Sequence, residues 1–178
     1  MKSQETGLLG NMLGWGQRRQ QQVSEILYGN AVEMARAPSF FADHGVADTV
    51  DGRFDALALV VALIMRRLKD CGEAGQDLSQ QLFDTMFADM DLSLREMGAG
   101  DIGVAKRVRV MAEGFMGRLD AYASALDSRD RVALGAALQR NLLRGDGEAG
   151  DPLIDFVLGL EARIADIDAE LLLKGRLG

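Results

Sequence analysis

The sequence predicts an all-α protein, one compact domain of about six or seven helices. Three observations carry this reading. The chain has only 2 prolines, and Ala, Leu, Met and Arg outnumber the β-branched residues that favour strands. Apolar residues recur at steps of three and four through most of its length, the period of one helix face. At 178 residues and 48% hydrophobic composition the chain can bury a sizeable core and is too apolar for disorder.

Residues 1–16 read as a flexible or docked N-terminal tail, and 17–178 as the helical domain. Gly7, Gly10, Gly14 and Gly16 weaken a helix in the tail, although Leu8, Leu9, Met12, Leu13 and Trp15 cluster at helical spacing. Such a peptide docks on its own domain or stays disordered, with a membrane surface or a partner as the alternative. Gln17 to Ala37 reads as one helix, Gly29 being a potential interruption, and it stops before Pro38 because a residue before proline avoids the α region. Pro38 to Asp43 is a single turn carrying Phe40 and Phe41.

From about Asp51 to Leu68 the chain is apolar almost all round (ALALVVALIM), which predicts the buried central helix. Arg66, Arg67 and Lys69 suit its C-terminus, and Gly72 and Gly75 follow. Leu78 to Met97 places Leu82, Phe83, Met86, Phe87, Met90 and Leu94 on one face. Val104 to Leu126 does the same with Val104, Val108, Met111, Phe115, Leu119, Tyr122 and Leu126, and Asp101 is the expected N-cap. A shorter helix runs from about Arg129 to Leu143. Asp151-Pro152 then starts a last helix, whose Leu153, Val157, Leu160, Ile164, Ile167 and Leu171 follow a four-three spacing. Packing within its own bundle is the expected role of that seam.

The lone Cys71 forms no internal disulfide and fits a reducing compartment. The longest apolar run, Ala56 to Met65, is half of the roughly 20 residues that a membrane span needs. With no signal or transit pattern at its start, the chain reads as cytoplasmic, peripheral contact with the inner membrane being compatible. The net charge of −7 weighs against wholesale nucleic-acid binding, and no DNA partner is expected. Charge is uneven. Asp146 to Glu170 holds eight acids and Arg163, whereas Ile102 to Arg118 holds Lys106, Arg107, Arg109 and Arg118 against Glu113.

Catalytic patterns dissolve when their context is read. Gly98, Gly100 and Gly103 spell GxGxxG, but a helical segment precedes them and no βαβ alternation exists, so they let two helices reverse direction. Asp84, Asp89 and Asp91 suggest a magnesium–diphosphate site; Asp84 and Asp91 share a face, Asp89 points away, and no second acidic helix is identifiable. His44 lacks the Glu-x-x-His partners of a di-iron bundle. Cys71, beside Lys69, has no nearby histidine to make it a nucleophile. No cofactor or metal is expected.

What remains is surface. Of the 9 methionines, Met86, Met90, Met97, Met111 and Met116 fall on or beside the two helices around the glycine turn. Thioethers adapt to irregular apolar partners and also fill cores. Met90 and Met111 lie in apolar stripes, while Met97 and Met116 are the expected exposed ones.

Three blocks carry a resemblance: ARAPSFF (Ala35 to Phe41), ADTVDGRFDALALVVALIMRRL (Ala47 to Leu68) and the segment Leu82 to Arg118 with DMDLSLREMGAGD and KRVRVMAEGFMGR. Spanning about Tyr28 to Tyr122, they resemble the ubiquinol–cytochrome c chaperone family, helical proteins that assist assembly of the cytochrome bc1 complex. Many relatives carry a histidine in the second-block helix where this chain has only aliphatic residues. The resemblance implies a non-catalytic chaperone that binds newly made cytochrome b, with a small partner protein and the ribosome as partners of the mitochondrial members. The start of the chain suggests a bacterial relative. Arg53, Asp55, Asp89, Asp91, Arg95, Gly98, Gly100 and Asp101 are then signature positions with structural roles. Lys106, Arg107, Arg109, Arg118, Met97 and Met116 are the client- or partner-binding set. The basic residues suit ribosomal RNA, anionic lipid head groups or an acidic helix; a network of Asp89, Asp91, Arg95 and Arg107 locking the two helices is the alternative. Rival functions are a helical Asp/Mg-dependent diphosphate enzyme and a generic helical dimerisation scaffold.

Overall fold

A computed structural model describes residues 5–98 and 100–177, with side chains from Arg18 onward apart from Asp101 and Ile102. Among the described residues every regular element is helical. Helix α1 spans Glu5–Ala35, α2 Val50–Leu68, α3 Gly72–Glu96, α4 Asp101–Asp127, α5 Arg131–Asn141, α6 Asp151–Ala165 and α7 Ala169–Leu172. A π-helical turn, Ser39–Asp43, lies between α1 and α2, and a 3-10 turn, Lys69–Cys71, between α2 and α3.

Helix α2 is the centre, as its composition requires. Every residue from Ala56 to Met65 is buried, and α1, α3, α4 and α6 pack around it. Thr49 caps its start by accepting a hydrogen bond from the Gly52 amide. Helices α1 and α3 run parallel in one register. Gln20–Gln81, Ser24–Thr85 and Tyr28–Asp89 are side-chain hydrogen bonds between residues 61 apart in each case. Leu82, Met86, Phe87 and Leu94 of α3 are buried, and so are Val104, Phe115, Leu119, Tyr122 and Leu126 of α4, the stripes that the spacing predicts.

Arg67 secures the far end of α2. Its guanidinium donates to the carbonyls of Ala165 and Ile167 at 3.0 Å each, satisfying acceptors at the end of α6. Phe40 of the π-helical turn is buried and meets Phe156 of α6 edge-on at 4.9 Å. No helix among the described residues is long and apolar enough to cross a membrane.

Several boundaries differ from the sequence reading. Helix α1 begins upstream of Gln17 and passes unbroken through Gly29. Extending a helix costs far less than nucleating one, and Leu27 and Ala31 anchor this one in the core. Helix α3 starts at Gly72, whose φ of +67° makes the bend, and Gly75 lies inside the helix with its Cα against the Leu68 carbonyl. Gly100, extended at ψ 150°, holds the cap position of α4, and Asp101 is the first helical residue rather than the cap.

The last predicted helix is two. Helix α6 ends at Ala165, and the Asp168 carboxylate accepts from the Glu170 and Leu171 amides to start α7. The four-three seam therefore stops at Ile164. Leu171 is 39% exposed, and Leu172 is buried in its place.

Candidate functional site

Asp51 and Asp55, one turn apart at the start of α2, organise the junction between α2 and α4. The Asp55 side chain is fully enclosed. Arg144, from the loop between α5 and α6, donates its Nε hydrogen to one carboxylate oxygen. Arg118 of α4 brings Nη2 to 2.8 Å of the other, a charge contact not aligned as a hydrogen bond. Burial pushes the Asp55 carboxyl above its ordinary range, against the pull of Arg144 and Arg118. Arg118 also lies over the Phe54 ring, 5.5 Å from its centroid. Asp51 reaches Arg144 at 3.5 Å and Arg107 at 3.8 Å. Nearby, Tyr122 is 1% exposed, and burial raises its phenol well above the usual value.

A groove of about 260 Å³ opens beside this cluster, where α1, α2, α3 and α4 converge. Its apolar lining comes from Val32, Val50, Phe54, Leu57, Met90, Leu94, Met97 and Met111. Val50 and Met97 stand 65% and 58% exposed at its mouth. Arg36, Asp51, Arg53, Asp89 and Arg107 form the polar edge. Arg36 pairs with Glu33 at 3.5 Å and Arg53 with Asp48 at 2.7 Å. Tyr28 donates its hydroxyl to Asp89 at 2.7 Å, and burial with this hydrogen bond raises its phenol pKa. Such a groove offers reversible apolar contact between charged edges, with thioethers that can repack.

The structure divides the predicted binding residues. Met97 and Arg107 reach the groove. Lys106 and Arg109 face outward on α4, where Arg109 is 81% exposed and bonds Glu113 at 2.9 Å. Met116 is 46% exposed on the same helix. Arg118 is turned inward, only 18% exposed, and belongs to the Asp55 cluster. Of the signature positions, Arg53 and Asp89 edge the groove, and Arg95 grips Asp91 at 2.6 Å within α3. The Asp89 and Arg107 contacts named above run to α1 and α2. Gly98, at φ +85°, and Gly100 make the reversal between α3 and α4. The Asp101 side chain lies outside the described ones.

The acidic trio disperses: Gln80 donates to Asp84, Tyr28 to Asp89 and Arg95 to Asp91. Reading the sequence missed Tyr28, Val50, Asp51 and above all Arg144. A loop residue in RGDGEAG, Arg144 has no periodic pattern to mark it, and its φ of +55° is set only by the fold.

Comparison with known proteins bears on this architecture. The model of the ubiquinol-cytochrome C chaperone family matches residues 42–177, continuing well past Tyr122, where the sequence resemblance ends. Ubiquinol-cytochrome-c reductase complex assembly factor 1 of Xenopus laevis is 29% identical over 157 residues, 85% of this chain and 77% of that protein. The crystal structure of the Cbp3 homolog from Brucella abortus superposes with a TM-score of 0.78 at 34% identity, covering 94% of this chain and 93% of that one. Match length and shared structure together place the sequence: the chain belongs to the ubiquinol–cytochrome c chaperone family.

Proposed function

We propose that this chain is a non-catalytic assembly chaperone for ubiquinol–cytochrome c reductase and that it holds newly made cytochrome b in the groove between α1, α2, α3 and α4. One observation carries the reading. Residues from both longer sequence blocks, Arg53, Phe54 and Leu57 with Met90, Leu94, Met97, Arg107 and Met111, converge on a single apolar groove. An apolar segment awaiting insertion needs a reversible shelter, and a groove lined by adaptable thioethers offers one to a helix. Charged edges oppose burial of the whole segment and favour release. Lys106, Arg109 and Met116, on the outward face of α4, supply a second contact for the client, a small partner protein or the ribosome. In this proposal the chaperone works at the cytoplasmic face of the membrane that receives cytochrome b.

Deleting the gene and recording reduced-minus-oxidised membrane spectra, with an immunoblot for cytochrome b, tests the role. Selective loss of b-type absorbance and of the bc1 complex is expected. Complementation with Val50→Asp/Met97→Asp then tests the groove: the protein accumulates, and bc1 does not recover. Unchanged bc1 in the deletion strain refutes the assembly role. Full rescue by the groove variant moves the client site elsewhere.

A further inference from the structure

The outward face of α4 carries Lys106, Arg109, Val110, Glu113, Gly117 and Asp120, all exposed. Val110 is 58% exposed, and Met116 beside this row 46%. Among the described residues, neither Lys106 nor Asp120 has an ion-pair partner. The face is basic toward its N-terminus and acidic toward its C-terminus, and its residues are spaced symmetrically about Glu113. Lys106 and Asp120 stand seven positions to either side, Arg109 and Gly117 four, Val110 and Met116 three.

We propose that a second copy of this chain docks on that face, α4 against α4, antiparallel about a two-fold axis at Glu113. An isologous contact requires a surface complementary to itself, and this charge gradient satisfies the requirement in the antiparallel sense alone. A parallel copy sets like charge against like. In the antiparallel pair Lys106 of each copy meets Asp120 of the other near the centre line, while Val110 and Met116, about 60° to either side of Glu113, lie on the two flanks of the contact. Arg109 passes over Gly117, where an added Cβ would find nothing within 4 Å. The two Glu113 carboxylates approach the axis, each held by its own Arg109 at 2.9 Å, with Arg109 of the second copy one turn away.

The contact runs about 20 Å along the helix, from Lys106 to Asp120. One helix pair of that length falls short of the roughly 1,200–2,000 Å² buried by stable complexes, so association is reversible and concentration-dependent. Lys106, Arg109 and Met116 are also in the contact set proposed above for client and partner. If that reading holds, self-association and partner binding exclude each other. The dimer itself does not depend on it.

Sedimentation velocity from the low micromolar to the high micromolar range reads the equilibrium directly. The wild-type chain should shift from monomer toward dimer. Lys106→Asp and Asp120→Lys, each alone, set like charges together at both ends of the contact and weaken association by about tenfold or more. Mixed in equal amounts, the two variants form a heterodimer in which both ends are complementary again, and association returns. Both positions are exposed and, among the described residues, have no ion-pair partner, so circular dichroism and thermal unfolding should match the wild type. A wild type that stays monomeric throughout overturns the proposal, as do single variants that associate normally or a mixture that fails to recover. Each of these outcomes leaves the bc1 assembly role standing.

Discussion

Helices α2 and α4 lie side by side, joined through Arg107 and Arg118, yet they meet water in opposite ways. Helix α2 is enclosed on all sides from Ala56 to Met65, whereas α4 presents Lys106, Arg109, Val110, Glu113, Gly117 and Asp120 outward. The difference decides what each residue type does. A carboxylate in α2, Asp55, is shut away from solvent and needs two arginines; a carboxylate in α4, Glu113, is screened and needs only a neighbour in its own helix. Glycine shows the same division. A Cβ on Gly52 would meet the Ala47 carbonyl oxygen at 1.9 Å, while one on Gly117 would stand in open space.

Substitutions can break this contrast, the largest effect coming from the buried charge. Asp55→Ala leaves Arg118 and Arg144 facing each other without their carboxylate and should lower unfolding free energy by about 3–5 kcal/mol in urea titration. A loss within experimental error would mean that solvent reaches the cluster. Leu59→Ala, at a 0% exposed position in α2, should cost about 2–4 kcal/mol through the cavity it leaves. Gly52→Ala comes next, about 1–3 kcal/mol, because the obstacle is backbone that cannot swing aside.

The sign then reverses on α4. Gly117→Ala should stabilise the chain by about 0.5–1 kcal/mol, since alanine loses less backbone freedom on entering a helix and meets no neighbour. A destabilised variant would show that Gly117 is packed against something in solution. Smallest of all, Lys106→Glu/Arg107→Glu/Arg109→Glu should leave the thermal midpoint nearly unchanged while weakening pull-down of cytochrome b or a partner. If this variant unfolds instead, the row is structural.

Much of this was legible in the chain because helix burial follows periodicity. The apolar run of α2 announced a central helix, and the stripes of α3 and α4 named residues that are now in the core. Met97 and Met116, the two methionines expected at the surface, are both exposed. Where the reading departed from the structure, a local signal competed with a distant one. Asp168 caps a new helix within a seam whose spacing continued smoothly to Leu171, and Arg118 belongs to a basic cluster in sequence but turns toward Asp55 in space.

The sequence by itself determined the helical class, the buried centre and the family. Each depends on residue order along one element, where composition and period act over a few turns. Only the tertiary structure decided which polar groups share a site. The parallel register of α1 with α3 brings Tyr28 to Asp89, and the loop after α5 folds back to bring Arg144 to Asp51 and Asp55. Charges separated by 89 positions in the chain meet because packing around α2 leaves them one enclosed place to go. Burial makes that meeting strong, and burial is a property of the whole fold.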